Sequence, residues 1–251
     1  MKKTQHLFAL GTLLASLSLS GHAQTQVIAQ SKASITGFSY ELIDLDPNDG
    51  ITPALTSLEH SNFMIAFYYT GNNNLPDLRK SWRNTAIMTL EGPAGKSTSS
   101  YIDNSMSASL EFYTTGARMM HINSSDWSFT MTPHTAVRLT ALGSIRSEVQ
   151  NNVSTSADAQ LYAAYYTSDN DTDEEYLHDD LFTYYEPQTQ RAMSVVMSSG
   201  DSVLRGRFGM MTDAMGQSNN PLPVPEPASY LMLLAGLAGL AASQWRRGRR
   251  A

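Results

Sequence analysis

Val137-Arg138-Leu139-Thr140-Ala141 alternates apolar and polar side chains one by one. Successive side chains of a strand point to opposite faces. The stretch therefore predicts a half-exposed β-strand with Val137, Leu139 and Ala141 inward and Arg138 and Thr140 outward. Downstream, Leu161 to Tyr166, Leu181 to Tyr185, Met193 to Met197 and Val203 to Met210 are short β-type runs of the same kind. Upstream lie Trp127 to Met131, Ala108 to Tyr113 and Ala86 to Leu90. Phe63 to Tyr69 is almost continuously apolar, as a strand covered on both faces is. Ile35 to Leu45 carries Phe38, Tyr40 and Leu42 at period two.

Turn chemistry separates these runs: Asp46-Pro47-Asn48-Asp49-Gly50, Gly71-Asn72-Asn73-Asn74, Gly92-Pro93-Ala94-Gly95, Asn151-Asn152 and Ser199-Gly200-Asp201. Roughly seven to ten strands punctuated this way predict an all-β fold, an antiparallel β-sandwich of jelly-roll-like type. The one stretch with helical character, Pro76 to Arg83, is short and reads as a loop turn.

The two ends differ from this body. Lys2 and Lys3 precede an apolar stretch from Leu7 to Leu19, and Gly21-His22-Ala23 offers small residues where a signal peptidase reads. A secretory signal peptide cleaved between Ala23 and Gln24 is expected. At the other end, no charge falls between Ala228 and Trp245. Eighteen helical residues would extend roughly 27 Å, a minimal transmembrane helix. Trp245 suits the interface, and Arg246, Arg247, Arg249 and Arg250 are expected to stay cytoplasmic. Pro225 and Pro227 hold Glu226 in an extended segment just ahead of the helix.

Val224-Pro225-Glu226-Pro227-Ala228-Ser229, then an apolar helix containing Leu233-Leu234-Ala235-Gly236-Leu237, then a terminal arginine cluster, resembles the PEP-CTERM sorting signal of Gram-negative bacteria. The resemblance covers about thirty residues. It implies recognition of Pro225, Glu226 and Pro227 by an exosortase, removal of the tail, and association with exopolysaccharide and biofilm. The implied route is export, transient residence in the inner membrane, then the cell surface or the extracellular space. The expected organisation is a signal peptide at 1–23, a β-sandwich passenger at 24–216, a Pro-rich tether at 217–224 and the sorting signal at 225–251. Within the last, the helix occupies 228–245 and the basic tail 246–251.

Charge narrows the passenger's partners. The chain has 17 Lys and Arg, 23 Asp and Glu, and a net charge of −6. Setting aside Lys2, Lys3 and the four terminal arginines leaves 11 basic residues, and setting aside Glu226 leaves 22 acidic ones, so the passenger carries −11. That field argues against nucleic acid or anionic lipid as a partner. No cysteine is present, which excludes disulfides, thiol catalysis and Cys-ligated metals.

Two acidic stretches fit calcium loops in part. Asp44-Leu45-Asp46-Pro47-Asn48-Asp49-Gly50 places oxygens at alternate positions, but its glycine comes one position late, and an ordinary turn closing a strand is the simpler reading. Asp169, Asp171 and Asp173 take positions 1, 3 and 5 of a second loop with Asp180 at position 12, yet Glu174 replaces the loop glycine. It reads as a flexible acidic loop, with Ca2+ as its candidate ligand and no other cofactor or metal expected. The first stretch, with Thr52-Pro53 after it, and Thr132-Pro133-His134-Thr135 also resemble segments that recur in exported PEP-CTERM domains.

No catalytic residue is assigned: the local signatures of serine hydrolases and zinc peptidases are absent. His60, His121, His134 and His178 share no ligand spacing and read as surface or turn histidines. Of Tyr68-Tyr69, Tyr165-Tyr166 and Tyr184-Tyr185, one ring of each pair is expected to pack inside. The outer ones would form a sugar-stacking platform if they share a sheet. The expected role is a non-catalytic surface or matrix protein that associates with exopolysaccharide. The alternative is a secreted glycan-active hydrolase using a carboxylate pair assembled in space.

Overall fold

The computed structural model describes residues 27–70, 78–114, 116–148, 153–166, 174–183 and 188–218. They form twelve strands and no helix: β1 (Ala29–Asp44), β2 (Leu55–Thr70), β3 (Leu78–Arg83), β4 (Ile87–Gly92), β5 (Gly95–Ile102), β6 (Ser105–Phe112), β7 (Ala117–Met131), β8 (Thr135–Ser147), β9 (Val153–Tyr166), β10 (Glu174–Phe182), β11 (Gln188–Ser198) and β12 (Leu204–Ser218). Two six-stranded sheets run β11-β8-β1-β6-β5-β4 and β10-β9-β12-β7-β2-β3, every neighbouring pair antiparallel. The chain changes sheet between β1 and β2, β3 and β4, β6 and β7, β7 and β8, β8 and β9, β10 and β11, and β11 and β12. The two-layer antiparallel class is as expected. The β4-β5-β6 meander and the six-plus-six count depart from a jelly roll of eight strands.

The quoted stretch lies in β8 and behaves as its alternation requires: Val137, Leu139 and Ala141 are buried, and Arg138 is exposed beside Glu41 of β1. In β1 the inward phase changes. Ala33 and Ile35 are buried, then Phe38, because a bulge shifts the register with β8 between Thr36 and Ser39. Gly37 sits there at φ +63°, a left-handed conformation that glycine adopts without a Cβ clash.

Three segments correct the expectations. Leu78–Arg83, within the stretch read as a helical turn, is edge strand β3, fully exposed and paired with Phe63 to Tyr68 of β2. Arg79, Lys80 and Arg83 keep this open edge charged, which disfavours pairing with another chain. Glu174–Phe182, expected in large part as acidic loop, is strand β10. Gln217 and Ser218, assigned to the tether, complete β12 opposite Arg118 and Val153.

Two hydrophobic clusters fill the space between the sheets. One gathers Phe38, Phe129, Leu139, Leu161, Met193 and Phe208; the other gathers Met64, Tyr68, Met88, Leu110, Phe112 and Met119. Polar side chains lie in the interior as well: His121 and Asn123 of β7, Thr212 of β12 and Ser99 of β5 are all essentially inaccessible. Asn123 ties the sheets together, its Nδ2 donating to the Ser100 carbonyl at 2.9 Å.

Candidate functional site

Two polar constellations stand out, one at an end of the sandwich and one on the open face of the second sheet. The first is built from three turns. Asp44 to Gly50 follows β1, Thr132-Pro133-His134 joins β7 to β8, and Gly200-Asp201 joins β11 to β12. His134 has φ +52° and uses each of its polar groups. Its backbone N–H donates to the Gly200 carbonyl at 3.0 Å, and its carbonyl accepts from Leu45 at 2.8 Å. Nδ1 meets Asp49 Oδ2 at 2.5 Å and Nε2 meets Asp201 Oδ1 at 3.1 Å.

Carboxylates on both nitrogens favour the imidazolium, so the His134 pKa is raised, first by Asp49 and then by Asp201. Asp49 is lowered in return, chiefly by the bond to His134 and then by the Ile51 amide. Ligand atoms of Asp46, Asp49 and His134 lie within 4.8 Å of one another. When protonated, His134 supplies positive charge there. One oxygen of each aspartate is spent on the chain: Asp44, Asp46 and Asp49 accept the amides of Asp46, Asn48 and Ile51 at 3.1, 3.1 and 2.6 Å. The constellation is a clamp holding three loops, and it joins the two separate segments whose recurrence the sequence had suggested.

The second constellation lies on the outer face of the second sheet. Asp158 of β9 stands directly opposite Asp213 of β12. Burial, then the charge of Asp180, pushes Asp158 up to about 6; burial, then Asp158, pushes Asp213 up to about 7. Each has a buried Oδ1 without a hydrogen-bond partner. Beside them Tyr162 donates to Asp126 across Gly209, whose place would not admit a side chain: a Cβ there would lie 2.1 Å from the Ser125 carbonyl oxygen. Tyr176 stacks on Tyr162 at 5.5 Å and donates to Gln160 at 2.6 Å.

The acids of β10 are strapped by arginines. Glu174 takes Arg207 through Nε at 2.8 Å and Nη2 at 3.2 Å, and Asp179 takes Arg191 at 2.6 Å and the Ser194 amide at 2.9 Å. Asp180 pairs in register with Gln160 within the strand. Six residues of extended chain separate it from Glu174 by roughly 20 Å, so Asp180 cannot close a twelve-residue calcium loop. Asp169, Asp171 and Asp173 lie outside the described residues.

The histidines divide. His134 is the turn residue expected and His178 is on a strand surface, but His121 is wholly buried, with neither ring nitrogen bonded. Burial lowers its pKa to about 4. His60 packs between Trp127 and Tyr101, at 4.6 and 5.2 Å. Among the described residues the outer tyrosines do not form a shared platform: Tyr68 is buried, and Tyr69 on β2 and Tyr166 on β9 sit at opposite corners of their sheet. Tyr184 and Tyr185 lie outside the described residues. So do Ala23, Gln24, Pro225, Glu226, Pro227, Arg246, Arg247, Arg249, Arg250 and the apolar run 228–245. Among the described residues no helix is long and apolar enough to cross a membrane.

Fold and clamp together define an acidic, two-layer antiparallel β protein. Its destination is read from the tail: residues 223–250 match the family model described as the PEP-CTERM protein-sorting motif. The chain carries that motif over about a tenth of its length. The match implies an exported protein, processed by exosortase and sorted toward the cell surface. No curated protein and no solved structure matches the chain.

Proposed function

We propose that the chain is a non-catalytic component of the cell surface or extracellular matrix that associates with exopolysaccharide. The observation that carries this reading is the sorting motif at 223–250, which delivers the sandwich outside the cell. In this account residues 1–23 are a signal peptide removed by signal peptidase before Gln24. The apolar run 228–245 holds the protein in the inner membrane until exosortase acts at Pro225-Glu226-Pro227. The arginines from 246 onward remain cytoplasmic. The sandwich ends at Ser218, and the segment from 219 to 224 is the tether. No nucleic acid is a partner, for the charge reason given above. Ca2+ stays a proposal for Asp169, Asp171 and Asp173 only, without Asp180.

The alternative, a glycan-active hydrolase, is favoured by one observation, the Asp158–Asp213 pair. Directly opposed strand residues have Cβ atoms roughly 4.5–5.5 Å apart, and retaining glycosidases hold their carboxyl groups about 5–5.5 Å apart. Retention of the secreted protein on the producing cell's exopolysaccharide, beside a turnover assay on the same material, separates the readings. Retention without release of reducing ends supports the matrix role. Turnover that is lost in Asp213→Asn establishes the hydrolase.

A further inference from the structure

The bulge at Gly37 opens a gap in the sandwich. β6 pairs with β1 only from Ala29 to Ile35, and β5 and β6 turn at Asp103 and Asn104, just below Phe38. Beyond that point β1 continues beside β8 alone, while β2 and β7 of the facing sheet run on to Leu55 and Met131. Aromatic rings that strands would otherwise cover are left at a mouth. A cavity of about 270 Å³ lies there, lined by Phe38, Ser39, Tyr40, Asn104 and Trp127.

The lining has two kinds of surface. Phe38 stacks on Trp127 at 4.7 Å and forms the buried floor, while Tyr40 leans on Phe208 at 5.6 Å and keeps 43% of its surface open. Polar residues accompany the rings in the lining: Asn104 brings an amide and Trp127 an indole N–H, while Ser39 turns its hydroxyl to Thr140 on the outer face at 2.9 Å. Among the described residues no charged side chain lines the cavity. Aromatic walls with a few convergent neutral donors and acceptors suit a ligand that is apolar on its faces and hydroxylated around its edge. An uncharged pyranose ring has that form, its axial C–H groups meeting an aromatic face while its hydroxyls meet the rim. The volume is small for a whole oligosaccharide, since ligand pockets usually start near 300 Å³, and fits one ring of a longer chain. The passenger's charge of −11 further disfavours a polyanionic glycan.

We infer that the mouth formed by Phe38, Tyr40, Asn104 and Trp127 is a binding subsite for one uncharged pyranose unit of an extracellular polysaccharide. The inference rests on the matrix reading for the source of that polysaccharide, and the test separates the two. Trp82→Phe with Trp245→Phe leaves Trp127 as the sole indole of the chain. That protein, isolated from the secreting cells, is titrated with maltohexaose, cellohexaose and chitohexaose, with a hexamer of galacturonate as the anionic control. Wild-type chain is applied in parallel to the producing cell's exopolysaccharide.

The expected result is a saturable change in Trp127 emission with at least one neutral hexamer and none with the anionic one. Tyr40→Ala, at an exposed position, weakens that binding at least tenfold without lowering Tm. Asn104→Gly, which keeps the backbone at φ +57°, serves as the second variant if Tyr40→Ala is poorly folded. Retention on exopolysaccharide that survives both variants, with Trp127 silent, overturns the subsite and leaves the matrix reading standing. Absence of retention in the wild type overturns the matrix reading, and absence of binding to every hexamer overturns the subsite.

Discussion

Asp158 and Asp213 are two like charges on facing strands, each partly out of water, so both hold their protons to higher pH than in an unfolded chain. Folded pKa values of about 6 and about 7 lie above the unfolded carboxylate value near 3.9. The stabilisation is therefore complete below the unfolded value and is lost as pH rises through 6 and 7. The raised His134 has the same sign: its contribution is full below about 6.5 and lost as pH rises past its folded value. His121 opposes them, since a pKa depressed to about 4 makes the fold lose stability as pH falls from about 6.5 towards 4. His60, lowered by burial, acts in the same direction as His121, and with three groups against two Tm is expected to be higher at pH 5.5 than at pH 8. Asp213→Asn should shrink that difference chiefly by raising Tm at pH 8. Thermal melts of both proteins at the two pH values check this, and an unchanged difference in the variant would refute the assignment.

His121 carries a second expectation at the same scale. Two buried ring nitrogens without a protein partner cost about 1–3 kcal/mol each, and an apolar side chain of similar size avoids that cost. His121→Leu is expected to raise Tm by about 2–4 °C for each kcal/mol recovered. The gain should be larger at pH 5 than at pH 8. A lowered Tm at both would show that the nitrogens are satisfied in solution.

At the scale of elements, close backbone approach and the bulge decide which substitutions the sheets tolerate. A Cβ on Gly209 would meet the Ser125 carbonyl oxygen at 2.1 Å in the middle of the β12–β7 pair, where neither strand can yield. Gly209→Ala is expected to cost more than about 2 kcal/mol. Gly200, in the β11–β12 turn, has nothing within 4 Å, so Gly200→Ala should stay within about 0.5 kcal/mol of wild type. Urea titration of the two variants distinguishes a rigid strand crossing from a turn.

The sequence was legible at this scale wherever burial and apolarity coincide, as in β8, β11 and the centre of β2. β5, Gly-Lys-Ser-Thr-Ser-Ser-Tyr-Ile, escaped because its inward residues are Ser97 and Ser99, small and polar yet buried. The first half of β7 escaped for a related reason: its inward face passes from Ala117 and Met119 to the polar His121, Asn123 and Ser125, while Met120 and Ile122 point outward. β10 was hidden by its acids, which cross-strand arginines neutralise only once the sheets exist. The clamp was half visible. Asp49 and His134 sat in segments singled out for turn chemistry, but 85 residues separate them and only the return of three loops to one end brings them together. Asp158, Asp213 and the mouth at Phe38 carry no local signature; the strand order creates them.

At the scale of the whole molecule, the sandwich is cargo and the tail is its address. A plain C-terminal anchor needs only the apolar run and the arginines, so it should ignore Glu226. A processing signal has to present specific groups, and Glu226 is the one charge between Asp213 and Arg246. Glu226→Gln leaves hydropathy and helix length nearly unchanged. It is expected to preserve membrane insertion while an unprocessed, membrane-held form accumulates. N-terminal sequencing of the exported chain should begin at Gln24, and a start at Met1 in the membrane fraction would contradict the signal-peptide assignment.

The central claim is that an exosortase removes the tail, and the intact mass of the protein recovered outside the cell tests it most directly. The measurement is made in cells with and without the exosortase. The account predicts a released chain that ends near Pro225-Glu226-Pro227 and lacks Arg246 to Arg250, with the full tail retained in the membrane fraction when the enzyme is absent. A released wild-type chain that keeps its terminal arginines would contradict it.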